Sequence, residues 1–198
     1  MNRKRMKKIA LFFTVAIIAA AAALYAARPC NGPECYLRRH LTEYKNETVY
    51  QNTDRLYGAL LKQKDTRLRA DTWTNIDQNE AASTIRNHII RMDTLYEKSV
   101  SPYPGEVSNA ISCDRQYRPK YSTEKNNGRE THVFVGYASE RLVFGACSDD
   151  IITKRAAAVM FYCDSQKRLY KFELFFPVKN SIEEFNKETN RLKTMPCE

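Results

Sequence analysis

The chain has 198 residues, 43% of them hydrophobic and 28% charged, with a formal net charge of +9. That length suits one domain with an appendage, and charges of both signs exclude a disordered polyelectrolyte. Five of the 32 basic residues (Arg3, Lys4, Arg5, Lys7, Lys8) precede an uncharged run, which leaves 27 against 23 acidic residues; the surplus therefore does not point to nucleic acid.

Residues 9–27 form that run, 19 positions without a charge, strongly apolar in front and alanine-rich behind. As a helix they rise about 28 Å, close to the roughly 30 Å hydrocarbon layer of a membrane. Two fates are open. The run is a signal anchor that stays as a single-pass span, or a signal peptide cleaved at a small-x-small site such as Ala21-Ala22-Ala23. Both send the rest of the chain across the membrane, because the basic flank 1–8 stays on the cytoplasmic side. Residues 28–35, with Pro29, Gly32 and Pro33, read as a hinge, and residues 36–198 as an extracytoplasmic domain.

The cysteines agree with that address. Cys30, Cys35, Cys113, Cys147, Cys163 and Cys197 all lie beyond the apolar run, and an even number there predicts disulfides in an oxidising compartment. The pairing stays open. A zinc site is not expected, since Cys30 and Cys35 are the only close couple and His40, His88 and His132 are scattered. No metal or cofactor is implied.

Beyond the hinge, Leu37, Leu41, Tyr44 and Thr48, then Leu56 and Leu60, recur at helical spacing and predict a helix over 34–63. Residues 62–74 read as a polar, basic connection around Trp73. A second helix is expected over 77–98, with Ile85, His88, Ile89, Met92, Leu95 and Tyr96 on one face. Ser101-Pro102-Tyr103-Pro104-Gly105 ends it, and the period then changes to that of strands, expected at 107–113, 132–137, 142–147, 156–163 and 169–176. Asn126-Asn127-Gly128 is a turn. Residues 156–163 are apolar on both faces and predict a central strand; in 169–176, Tyr170, Phe172, Leu174 and Phe176 alternate with Lys171 and Glu173, as in a half-buried strand. Ser181-Ile182-Glu183-Glu184 is a capping box opening a last helix. The expected fold is α+β: an N-terminal transmembrane or signal helix, two helices, a mainly antiparallel sheet of four to five strands, and a C-terminal helix, with the helices on one sheet face.

Candidate chemistry is sparse. His132 comes two residues after Glu130 at the start of a strand and could face Arg141 across a hairpin, a trio able in principle to cleave a phosphodiester by acid–base catalysis. His88, on the apolar face of its helix, reads as a core histidine. Lys62, Lys64, Arg67 and Arg69 form one basic stretch and Arg115, Arg118, Lys120 and Lys125 another, both read as solvated faces. Asn46-Glu47-Thr48 matches a glycosylation acceptor. There is no Gly-x-Ser-x-Gly, phosphate loop or His-Glu-x-x-His. The sequence therefore favours a membrane-tethered, non-enzymatic component of an envelope assembly, working through protein contacts. The alternatives are a secreted small hydrolase of ribonuclease type, or a secreted ligand- or inhibitor-binding domain.

Overall fold

The computed structural model describes residues 32–97, 119–138 and 152–197. The apolar run 9–27, the expected strands at 107–113 and 142–147, Arg141, Cys30, Cys113 and Cys147 lie outside the described residues. No helix among the described residues is long and apolar enough to cross a membrane. The chain divides into two compact units, residues 1–39 and 40–198.

The described part of the first unit is essentially helix α1, Pro33–His40. Proline fits the first helical position because its missing N–H would have no intrahelical partner there. Glu34 meets the positive end of the helix dipole and also holds Arg38 one turn later at 2.6 Å.

The helix expected over 34–63 ends at His40, and strands replace the rest. β1 (Lys45–Asn52), β2 (Leu56–Gln63) and β3 (Thr66–Thr74) form an antiparallel meander. The misreading has a definite cause. A spacing of four is even, so Leu56 and Leu60 share one face of a strand as readily as one face of a helix. Gly58 between them disfavours a helix interior. The supposed connection 62–74 contains β3, in which Thr66, Leu68, Ala70 and Thr72 are buried at every second position.

The remaining strands are β4 (Lys120–Asn126), β5 (Arg129–Ala138), β6 (Lys154–Cys163) and β7 (Arg168–Pro177). All seven form one sheet in the order β1-β2-β3-β7-β6-β5-β4, antiparallel throughout. The expectation of four to five strands after two helices is corrected accordingly. Turn chemistry sets the hairpins: Lys64 (φ 51°) bends β2 into β3, and Asn127 (φ 51°) with Gly128 (φ 76°) bends β4 into β5. Lys167 (φ 50°) closes the β6–β7 turn.

Two helices cover this sheet on opposite faces, not on one face as expected. α2, Gln78–Glu97, starts where Asp77 Oδ1 accepts the Glu80 N–H at 2.8 Å. Its Ala81 and Ile85 pack with Ile76 against Met160 and Leu169, and Ile89 extends the contact toward the Phe134, Ala156, Ala158 and Phe175 cluster. α3, Ile182–Lys193, starts where Ser181 Oγ accepts the Glu183 N–H at 3.1 Å. It packs on β6 and β7 from the other side, with Phe185 edge-on to Phe176 at 6.0 Å between ring centres. Buried on both faces, Ala156–Phe161 of β6 is the core of this unit. Full burial of each large apolar side chain here is worth roughly 2 kcal/mol.

Candidate functional site

Residues two apart on a strand share a face, so β5 presents Glu130, His132 and Phe134 together toward α2. Register brings β4 alongside, with Thr123 opposite His132 and Tyr121 opposite Phe134. Thr123 Oγ1 donates to Tyr121 Oη at 3.0 Å, and Tyr121 Oη lies 2.8 Å from His132 Nδ1. Tyr121 and His132 share one hydrogen bond whose direction follows the imidazole tautomer. Glu130 stands 3.7 Å from Nε2, an ion-pair distance once the ring is protonated and too long for a hydrogen bond. Burial pushes the His132 pKa below the usual histidine value against an opposing pull from Glu130.

A groove of about 590 Å³ opens between this strand end and α2. Ala81, Ile85 and Ile89 supply an apolar wall; Gln78 and Arg86 from the helix and Glu130 and His132 from the strand supply polar groups. Arg86 is exposed and makes no ion pair among the described residues. The groove can bind. Of the sequence trio, Glu130 and His132 meet, while Arg141 lies outside the described residues. His88 sits edge-on to Phe134 at 5.5 Å between ring centres.

In the first basic stretch Lys62 and Lys64 are exposed, and the two arginines are paired. Arg67 is held by Glu47 at 2.8 Å and Arg69 by Glu173 at 2.9 Å. Of the second stretch, Arg115 and Arg118 lie outside the described residues, and Lys120 and Lys125 sit on the edge strand β4. No group of three or more metal-ligating side chains occurs among the described residues. Asn46 of the acceptor triplet is exposed on edge strand β1.

A second constellation has no counterpart in the sequence motifs. Lys171 and Glu173 look like the solvent side of β7, yet their side chains are only 14% and 6% exposed. They point to the α2 side of the sheet, where Asp71 of β3 stands opposite Lys171 and Arg69 opposite Glu173. Lys171 Nζ lies 2.8 Å from Glu173 Oε1 and 3.6 Å from Asp71 Oδ2. Tyr50 donates from its hydroxyl to Asp71 Oδ1. The tyrosine reaches across β2 because Gly58 has no side chain: a Cβ there would sit 2.5 Å from Tyr50 Cε2. Burial works to raise the Glu173 pKa, but the charges of Lys171 and Arg69 outweigh it and hold the carboxyl below its usual range. Burial wins at Asp71 and raises its pKa, with Tyr50 and Lys171 opposing. The available sequence signal is the alternation Arg67, Arg69, Asp71, which no polar loop requires.

A disulfide joins buried Cys163, at the end of β6, to Cys197 beyond α3. Cys35 is also disulfide-bonded, so every described cysteine is oxidised. No protein-family model, curated protein or solved structure matches this chain.

Proposed function

We propose that the chain is a membrane-tethered, extracytoplasmic, non-enzymatic module, anchored through residues 9–27, that serves an envelope assembly by protein–protein contact at the groove beside α2. The oxidised state of Cys35, Cys163 and Cys197 carries the reading, since such bonds persist outside the reducing cell interior. Three further features support it: the uncharged run behind a basic flank, the apolar groove wall, and Arg86 on its rim, which has no ion pair among the described residues. At His132, Nδ1 is engaged by the Tyr121 hydroxyl and not by a carboxylate, which favours binding over hydrolysis.

The test is made in the native cell. Membranes washed at high pH should retain the chain, external protease should reach the domain, and thiols should label only after reduction. N-terminal sequencing should return Met1 or Asn2. A mature start near residues 24–28 would replace the tether with a secreted ligand-binding domain, and free thiols in a soluble cytosolic chain would end the proposal. A photo-crosslinking residue at position 86 should give one discrete adduct, lost when Ile89 is changed to Asp.

A further inference from the structure

The ionic constellation at the junction of β3 and β7 opens onto a cleft of about 370 Å³, lined by Tyr50, Gln51, Leu56, Arg69, Asp71, Trp73 and Lys171. That volume lies within the usual range of small-ligand sites. Its charges balance: Arg69 and Lys171 stand against Asp71 and the Glu173 behind them. An anion entering the cleft meets Asp71, and a cation meets Arg69 and Lys171, so neither gains from the field. Capacity for neutral hydrogen bonding is left over. Glu173 engages Arg69 only at Nη1, and neither the Gln51 amide nor the Trp73 indole N–H has a hydrogen-bond partner among the described residues. Asp71 keeps acceptor capacity beside its bond from Tyr50. Donors and acceptors therefore alternate around the cleft, beside the aromatic surfaces of Tyr50 and Trp73 and the aliphatic Leu56.

We propose that this cleft binds a neutral saccharide. Sugar hydroxyls donate and accept at once, which suits the mixture of Gln51, Arg69 and Asp71; the C–H face of a pyranose suits Tyr50 and Trp73. The ion pairs hold Arg69 and Asp71 in place before a ligand arrives, which lowers the ordering cost of binding. The proposal does not depend on the membrane tether or on the groove beside α2.

Trp73 is the only tryptophan in the chain, so intrinsic fluorescence reports directly on the cleft. The full chain, in a zwitterionic detergent free of sugar headgroups, is titrated with cellotetraose, maltotetraose and chitotetraose. Inorganic phosphate and a neutral alanine tetrapeptide serve as comparison probes. At least one saccharide should shift the Trp73 emission saturably. Gln51→Ala, on the exposed edge strand, should weaken that binding about tenfold without altering the unfolding midpoint, and Asp71→Asn should weaken it comparably. Silence to all three saccharides overturns the proposal. So does an equal response to phosphate or the peptide, or a saccharide response that survives Gln51→Ala and Asp71→Asn together.

Discussion

Removing the Cys163–Cys197 disulfide should lower stability by about 5 kcal/mol, chiefly through the unfolded chain. The bridged residues are separated by 34 positions, a stretch that takes in β7 and α3. Loop-closure entropy for that length corresponds to about 3.8 kcal/mol at room temperature, and losing the buried sulfur of Cys163 adds roughly 1 kcal/mol. The folded state has other ties to keep the C-terminus docked. Asn127 Nδ2 donates to the Thr194 carbonyl at 2.8 Å, and Arg129 donates to the Met195 carbonyl while its guanidinium lies 3.7 Å from the centre of the Phe161 ring. Cys163→Ala/Cys197→Ala should therefore keep its native near-ultraviolet circular dichroism. Urea unfolding of the full chain in micelles, followed at Trp73, should show the lost stability and a larger m-value, because the uncrosslinked unfolded chain exposes more surface. A loss below about 1 kcal/mol with unchanged m-value would refute the reasoning, since it would mean that the bridge does not constrain the unfolded chain.

Glu173→Gln should cost on the order of 3 kcal/mol at neutral pH, because it leaves Lys171 and Arg69 without their buried counter-charge. The folded pKa of Glu173 lies below its ordinary 4.5, so its contribution is present above that value and lost as pH falls through the folded pKa. The stability gap between wild type and variant, read by chemical unfolding, should accordingly close as acidification passes below that ordinary value and through the folded pKa. His132 has a folded pKa below 6.5, so the unfolded chain binds the extra proton first and stability declines as pH falls from 6.5. With His132→Gln that decline should flatten, with Glu130, Tyr121 and Arg86 unchanged around it. Gly58→Ala should cost about 1–2 kcal/mol by driving the Tyr50 ring off β2, and much less in a Tyr50→Ala background. Additive costs in that double-mutant cycle would show that the glycine serves something other than the tyrosine.

Local chemistry was the legible part of this fold. Ser181 capping α3, the Asn127-Gly128 bend, and the continuous apolar run of β6 each depend on neighbours in sequence, and each stands where the residues indicated. What could not be read depends on distant partners. β1 and β4 are polar strands lying at the sheet edges, so no apolar period marks them; the hydrogen-bonded ladder of a neighbour makes them strands. Glu130 and His132 could be placed together because two residues on one strand share a face. Tyr121, which fixes the imidazole, belongs to the site only through the register of β4 on β5. Arg69 and Asp71 resemble part of a polar connection because their partners are in β7, and the Arg69–Glu173 pair spans 104 residues.

That pair bears on how the sheet closes. Two meanders, β1–β3 and β4–β7, are each assembled from neighbouring strands in sequence, but the β3–β7 junction has no turn to set its register. The aligned register sets Arg69 opposite Glu173 and Asp71 opposite Lys171. A slip of two residues keeps the apolar side chains facing the core, so burial alone discriminates weakly against it. In one direction it sets Arg69 opposite Lys171, and in the other Asp71 opposite Glu173, two like charges in a half-buried setting. Buried ion pairs contribute little net stability against a well-packed apolar substitute, whereas like charges directly opposed on a sheet are destabilising. The charges at this junction therefore act more on the choice of register than on overall stability, and three of the four side chains that align the two halves, Arg69, Asp71 and Lys171, also line the cleft.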